Sequence, residues 1–284
     1  MPEYASLLSQ QFSVGKQQIE NVIQLIDEGN TIPFIARYRK EQHGSLDDQT
    51  LREIAERLEY LRGLDKRREE VSHLIEELGV MTEEISKALE SAATLAEIDD
   101  IYRPFRPKRR TRASIAKEKG LEPLALKIFS QEQADAFPID MAASYVDEEK
   151  GVASPEEALA GAMDIIAEMI SDDASIRKRL RYVAMNYAVL VSKGTTEESS
   201  VYEPYYDYRE PVAKIAGHRV LAIDRGEREE FLKVSIEFDP ARAMNIIGSV
   251  VLKGSGPSSE TVREAAADSY ERLIFPSIER EIRN

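Results

Sequence analysis

Between Leu51 and Leu78, apolar residues recur mostly at steps of three and four: Leu51, Ile54, Leu58, Leu61, Leu64, Val71, Ile75 and Leu78. An α-helix turns once in about 3.6 residues, so the series draws one apolar stripe about eight turns long. A helix of that length cannot bury its stripe alone and needs other helices laid against it. The chain is therefore expected to be mainly α, an elongated multi-helix protein with long helices.

The flanking sequence agrees. Ser13 is expected to cap a helix with Ile19, Val22, Ile23 and Ile26 on its apolar face, ended by Gly29. Thr31 and Pro33 open a short helix, IPFIARYRKEQ, that stops at Gly44. Ser45 with Asp48 reads as a capping box for the long helix, and Gly79 as its end. Thr82 starts another helix, and LAEIDDIY is one more, ended by Pro104. Residues 130–153 read as a polar connection. Ser154, Pro155, Glu156 and Glu157 supply cap, first-turn proline and first-turn acids for a helix through Leu159, Met163, Ile166 and Ile170. Asp172 and Asp173 start the next, through Ile176, Leu180, Val183 and Tyr187. Strand signals occur near 188–192 and 231–238, and paired they make a β-hairpin or two-stranded sheet. Residues 259–283 read as a final helix blemished by Pro276. This divides the chain into a helical domain over 1–130, with a helix–turn–helix-like segment around Gly29–Asn30, and a second helical subdomain over 131–284.

Charge narrows the function. The 284 residues carry a formal net charge of −14, which opposes a general affinity for phosphate backbones. The distribution is uneven. Arg103 to Lys119 holds eight basic residues and one acid, while 132–173 holds twelve acids and one lysine. No cysteine is present, which removes disulfides, thiol nucleophiles and cysteine-held metals. No apolar run reaches the roughly 18–20 residues of a membrane span, and the N-terminus has no secretory pattern. A cytoplasmic location is expected. His43, His73 and His218 lack metal-ligand spacing, and no phosphate-binding or zinc-protease motif occurs. Asp99–Asp100 and Asp172–Asp173 are sequence neighbours, about 100° apart on a helix, which does not make a catalytic dyad. No catalytic residue, metal or cofactor is expected.

Two basic stretches are the candidate sites. Arg106, Lys108, Arg109, Arg110 and Arg112 follow Pro104 and surround Pro107, on a stiffened segment that presents charge at little ordering cost. Phe105 and Tyr102 add aromatic faces. The other reading is internal: the same cations hold the acidic 132–173 stretch. Arg37, Arg39 and Lys40 are the second stretch, read either as a surface or as helix packing. Tyr202, Tyr205, Tyr206 and Tyr208 sit among Glu203, Asp207 and Glu210, so packing or a protein contact is favoured over base stacking.

Several longer stretches resemble the Tex family of bacterial transcription accessory proteins: EGNTIPFIARYRKEQHGSLDDQTLREI, IDDIYRPFRPKRRTRASIAKEKGLEPLA, SPEEALAGAMDIIAEMISDDA, YYDYREPVAKIAGHRVLAIDRGE and YERLIFPSIEREIR. They run in the family's order from about residue 15 onward. The resemblance implies a cytoplasmic, elongated, helical protein that associates with RNA or DNA and modulates gene expression. It also implies likeness to a eukaryotic transcription-elongation and histone-chaperone factor. Complete members are expected to continue into an RNase H-like domain, helix–hairpin–helix elements and an OB-fold RNA-binding domain beyond the span seen here, so nucleic-acid binding by this span alone is expected to be weak. Arg37, Arg39 and Lys40 match the family's PFIARYRKE stretch, and Lys108, Arg109, Arg110 and Arg112 its PKRRTR stretch. The alternative is a protein-interaction module that docks RNA polymerase or ribosome-associated proteins without touching nucleic acid. A hydrolase has no site to support it.

Overall fold

The computed structural model describes residues 2–107, 109–132 and 137–284. They form two compact units, Met1–Tyr102 and Arg103–Asn284. The sequence reading divides the chain at 130/131. The compact units divide further upstream because residues 112–130 pack into the core of the second unit.

The first unit is all helix: α1 (Pro2–Phe12), α2 (Lys16–Asp27), α3 (Ile32–Tyr38), α4 (Lys40–His43), α5 (Asp48–Glu77), α6 (Glu83–Ser91) and α7 (Leu95–Tyr102). The stripe read from the sequence is buried at Leu51, Ile54, Leu58, Leu64, Val71 and Ile75, while Leu78 falls at the cap and is exposed. Leu51, Ile54 and Leu58 on α5 are fully buried against Leu8 of α1, Ile19 and Val22 of α2, and Ile35 of α3. The helix starts differ from the expected caps for a steric reason. Ser13 and Ser45 sit at φ 54° and 63°, in the left-handed region, whereas an N-cap needs extended backbone. Gly15 precedes α2 instead, and its N–H donates to Gln18 Oε1 at 3.1 Å. Asp47 caps α5, accepting from the Thr50 N–H at 2.7 Å, and that bond holds its carboxyl below the usual range. Arg39 leaves helical geometry at φ −129°, so the expected single helix to Gly44 is two, α3 and α4. His43 is sealed in the core with Nε2 3.2 Å from the Ile35 carbonyl.

The second unit contains α8 (Arg112–Glu118), α9 (Glu122–Ser130), α10 (Pro138–Ala142), α11 (Pro155–Ser171), α12 (Ala174–Tyr187), β1 (Val189–Gly194), β2 (Asp207–Pro211), α13 (Gly217–Arg228), β3 (Leu232–Glu237), α14 (Pro240–Val251), α15 (Pro257–Asp268) and α16 (Phe275–Arg283). Its axis is α11, opened by Ser154 capping the Glu157 N–H. Ala158, Ala162, Ile165, Ile166 and Ala167 of α11 are all fully buried. Small residues let neighbours come close: a Cβ on Gly161 would stand 2.4 Å from Leu121 Cδ1 and 3.3 Å from Ala116 Cβ.

The strands make an antiparallel sheet in the order β2-β1-β3. Val191 at its centre pairs with Arg209 on one side and Ser235 on the other. The expected strands are β1 and β3, and β2 is an addition. Asp207–Pro211 alternates charge with half-buried side chains and ends in proline, which suits an edge strand. The final helix is interrupted. A wide π turn, Ser269–Ile274, joins α15 to α16 just before Pro276, whose ring would press on the carbonyl of Arg272 in a regular helix. Ser269 fixes this turn by donating to the Ala167 carbonyl of α11 at 2.7 Å.

Two outcomes follow. Ile54→Ala removes a fully buried branched side chain and is expected to cost about 2–5 kcal/mol, read as a lower denaturant midpoint with faster amide exchange in α2 and α5. Burial, with Asp239 and Glu271 nearby, pushes the Tyr270 hydroxyl up to about 12, while the unfolded chain ionises near 10. The folded form therefore keeps a proton that the unfolded form loses over that interval. This share of stability is whole below pH 10 and falls away as pH rises toward 12. Urea midpoints across that interval should fall less steeply for Tyr270→Phe than for the wild type, and equal slopes would rule the assignment out.

Candidate nucleic-acid interface

The basic segment is strung between two attachments to α11. At its start, a single 3-10 turn, Arg103–Phe105, places Arg103 Nε 3.2 Å from Asp172 Oδ1, just past the end of α11. A carboxylate there opposes the helix dipole, and the guanidinium offsets it. At its end, Thr111 caps α8. Thr111 Oγ1 accepts the Ser114 N–H at 3.0 Å, and Ser114 Oγ accepts the Thr111 N–H at 2.8 Å. Ala113 and Ala116 then bury α8 in the core that contains Ala158 and Ala162.

Between the attachments the expected cations separate by role. Arg109 and Arg110 are exposed and make no ion pair or hydrogen bond among the described residues. Arg106 is exposed too, but the chain itself engages it. Lys108 lies outside the described residues, as do 133–136 within the acidic stretch. Arg112 is exposed beside two carboxylates. Burial raises the Asp164 carboxyl, with Arg272 and then Arg112 opposing the rise. The Arg272 hydrogen bond lowers Asp268, with a smaller contribution from Arg112. Further along, Lys117 pairs with Glu122 at 2.8 Å, and Lys119 donates to the Gly151 carbonyl at 2.7 Å. The internal reading thus describes Arg103, whereas Lys117 and Lys119 are held by Glu122 and a backbone carbonyl instead, and neither arrangement takes in Arg109 or Arg110. Tyr102 is buried and offers no open ring face, whereas Phe105 is half-buried.

The second stretch lies in the first unit. Arg37, Tyr38 and Lys40 are exposed at the end of α3 and start of α4. Arg39 is half-buried, with its guanidinium carbon 5.2 Å from the Phe34 ring centre and Nη1 donating to the Tyr38 carbonyl at 3.3 Å. The Phe34 and Tyr38 rings are 5.2 Å apart. Arg39 is therefore spent on ordering its neighbours, and Arg37 and Lys40 are the outward cations.

The tyrosine cluster packs against the sheet. Tyr202 is buried and donates to Glu229 Oε2 at 2.7 Å, Tyr206 donates to the Glu198 carbonyl at 2.7 Å, and Tyr208 donates to Glu210. Burial raises the Tyr202 and Tyr208 hydroxyls above their ordinary value. Sequence reasoning passed over a different surface. Ala174–Tyr187 carries Arg177, Lys178, Arg179 and Arg181 without one acid. The signal was present as a basic run, but the apolar series through the same helix took precedence. That series also put Tyr187 on the buried face, and the structure leaves it 61% exposed. Among the described residues, no three His, Cys, Asp or Glu side chains group closely enough to hold a metal ion. No helix among them is long and apolar enough to cross a membrane.

Comparison with known proteins agrees with the resemblance seen in the sequence. The model of the Tex-like protein N-terminal domain matches residues 2–76, and that of the Tex central region matches 133–284. The uncharacterized protein YdcI of Bacillus subtilis is 43% identical over 99% of this chain and 40% of its own length. The transcriptional accessory protein Tex of Neisseria gonorrhoeae is 40% identical over 82% of this chain and 31% of its own. The human S1 RNA-binding domain-containing protein 1 is 27% identical over 99% of this chain and 30% of its own. The chain thus spans two fifths or less of the length of these relatives. With one model covering more than half of its residues, the chain belongs to the Tex family.

Proposed function

We propose that this chain is a helical scaffold of a transcription accessory protein, which touches RNA or DNA weakly through the 106–112 segment and modulates gene expression. One observation carries the reading. Arg109 and Arg110 stand in water between two anchored ends, with no carboxylate of their own chain on them among the described residues. Guanidinium groups so held contact phosphate oxygens with little further loss of freedom. The names of the gonococcal and human relatives, a transcriptional accessory protein and an S1 RNA-binding domain protein, support the same direction. The proposal includes a cytoplasmic location, no catalytic step and no cofactor.

A second reading, docking of a protein such as RNA polymerase, has its own support. A cleft of about 530 Å3 lies beside Pro104, floored by Phe129, Ile165, Met169 and Val251, with Glu168, Asp172 and Asp173 also lining it.

Fluorescence anisotropy with a labelled oligonucleotide at stepped salt separates the two readings. The wild type should bind at low salt with affinity that falls steeply as salt rises. Arg109→Glu with Arg110→Glu should weaken binding at least tenfold and flatten the log–log salt slope by about 1.5, the share of two phosphate contacts. Binding unchanged by this double reversal removes the segment from the interface. No binding at any salt, with saturable binding to purified RNA polymerase, favours the protein-docking reading.

A further inference from the structure

The exposed side of α12 is cationic and aromatic together. Helical residues advance about 100° each, so Lys178, Arg179, Tyr182, Met185 and Asn186 fall within an arc of about 120° centred on Tyr182. Ile176, Arg177, Leu180 and Ala184 lie on the opposite side, and all four are buried. The buried side is also locked electrostatically. Arg177 Nη2 donates to Ser277 Oγ at 2.9 Å and lies 3.2 Å from Glu281 Oε1, while Arg181 Nε holds Glu281 Oε2 at 2.6 Å. The Glu281 carboxylate is thereby held on the side of Arg177 and Arg181.

On that arc Tyr182 is 70% exposed and Met185 45% exposed. Lys178 is exposed but the chain itself engages it, whereas Arg179 is exposed and has no ion pair among the described residues. The helix ends on a second open ring. Tyr187 has the Arg242 guanidinium carbon 4.3 Å from its centre. No acidic residue occurs anywhere in Ala174–Tyr187.

We infer that the outer face of α12 is a binding surface for single-stranded nucleic acid, with a base stacking on Tyr182 and a flanking phosphate meeting Arg179. The partner follows from the chemistry. A guanidinium group beside an open ring suits a polyanion that carries flat aromatic groups. A duplex keeps its bases stacked internally and offers phosphates alone, and an acidic peptide offers charge without a flat ring. The stripe is distinct from residues 106–112. It rests on the same nucleic-acid reading and adds both the strand type and the place where bases are held.

The chain contains no tryptophan, so Tyr182→Trp installs a single reporter at the stacking position. Its emission should be quenched on titration with a single-stranded oligonucleotide at low salt. Neither the duplex of the same sequence nor polyglutamate should quench it comparably. By anisotropy with the same oligonucleotide, Tyr182→Ala should bind about tenfold more weakly, the scale of one lost base stack, and Tyr182→Phe should restore wild-type affinity. Arg179→Glu should weaken binding and reduce its salt dependence. Oligonucleotide binding that is saturable and sensitive to Arg109→Glu with Arg110→Glu, yet leaves the tryptophan emission and Tyr182→Ala unaffected, overturns this inference and leaves the proposed function standing. Absence of binding to any oligonucleotide overturns both. Equal quenching by polyglutamate overturns it in favour of an acidic protein partner.

Discussion

Packing of α11 into the interior of the second unit is the constraint on which the candidate interface depends. Its buried face is largely alanine and isoleucine, and Gly161 stands where Leu121 and Ala116 come nearest. Close approach of that kind leaves little room for sliding, because protein interiors are packed as densely as organic crystals. The basic segment takes its position from this helix at both ends, through Arg103 on Asp172 and through α8 in the shared core. Even the π turn before Pro276 is referred to α11, through Ser269 on the Ala167 carbonyl. A loop fixed at both ends by one rigid helix has most of its ordering cost met by folding, and what remains for a ligand is contact.

The overall negative charge does not contradict a cationic contact. Exposed charges further apart than about 8 Å are largely screened at physiological ionic strength, so a phosphate at Arg109 responds mainly to its immediate surroundings. Those surroundings are sorted. Several acids among the described residues are already occupied: Asp172 by Arg103, Asp268 and Asp164 by Arg272, and Glu122 by Lys117. Exposed pairs such as Lys117–Glu122 contribute little stability, on the order of 0–1 kcal/mol. Their consequence is to take carboxylates out of competition for Arg109 and Arg110. Arg103 on Asp172 ties the basic run to the acidic stretch, and Arg109 and Arg110 are left exposed on the loop between.

Much of the helical frame was legible in the sequence because it follows from one rule, apolar residues on one side of a 3.6-residue turn. The α5 stripe, the caps at Thr82 and Ser154, and the Asp173 start of α12 are all local patterns. What was not legible depends on contacts distant in sequence. Asp207–Pro211 is a strand paired along the edge of β1, and its own residues carry no strand signal. Ser13 and Ser45 look like caps in one dimension, and their left-handed backbone is set by how the preceding helix ends. At the candidate site, the exposure of Arg109 and Arg110 could be anticipated from the prolines around them. The capture of Arg103 could not, since Asp172 lies 69 positions away. Arg177 is a further case of a contact distant in sequence. A cation in a basic helix suggests solvent, and this one is buried 100 positions from the serine it bonds.

The tyrosines show how the same side chain is put to opposite uses. An exposed tyrosine by itself means little, since folded proteins leave much apolar surface in water. Context decides. Around the sheet, Tyr202 is buried, Tyr206 and Tyr208 are half-buried, and their hydroxyls are satisfied on Glu229, the Glu198 carbonyl and Glu210. Acceptors at the hydroxyl tip suit a buried phenol and repel an incoming phosphate. On α12 the arrangement is inverted. Tyr182 keeps its ring in water, its neighbours along the arc are Lys178 and Arg179, and the carboxylate of Glu281 is held on the far side by Arg177 and Arg181. Burying an arginine to hold that carboxylate has a high desolvation cost, which good geometry has to offset. The result is a helix whose hidden side holds the Glu281 carboxylate and whose open side presents Arg179 beside an exposed ring. That asymmetry is a property of the pairing in α12 and α16, and composition alone does not reveal it.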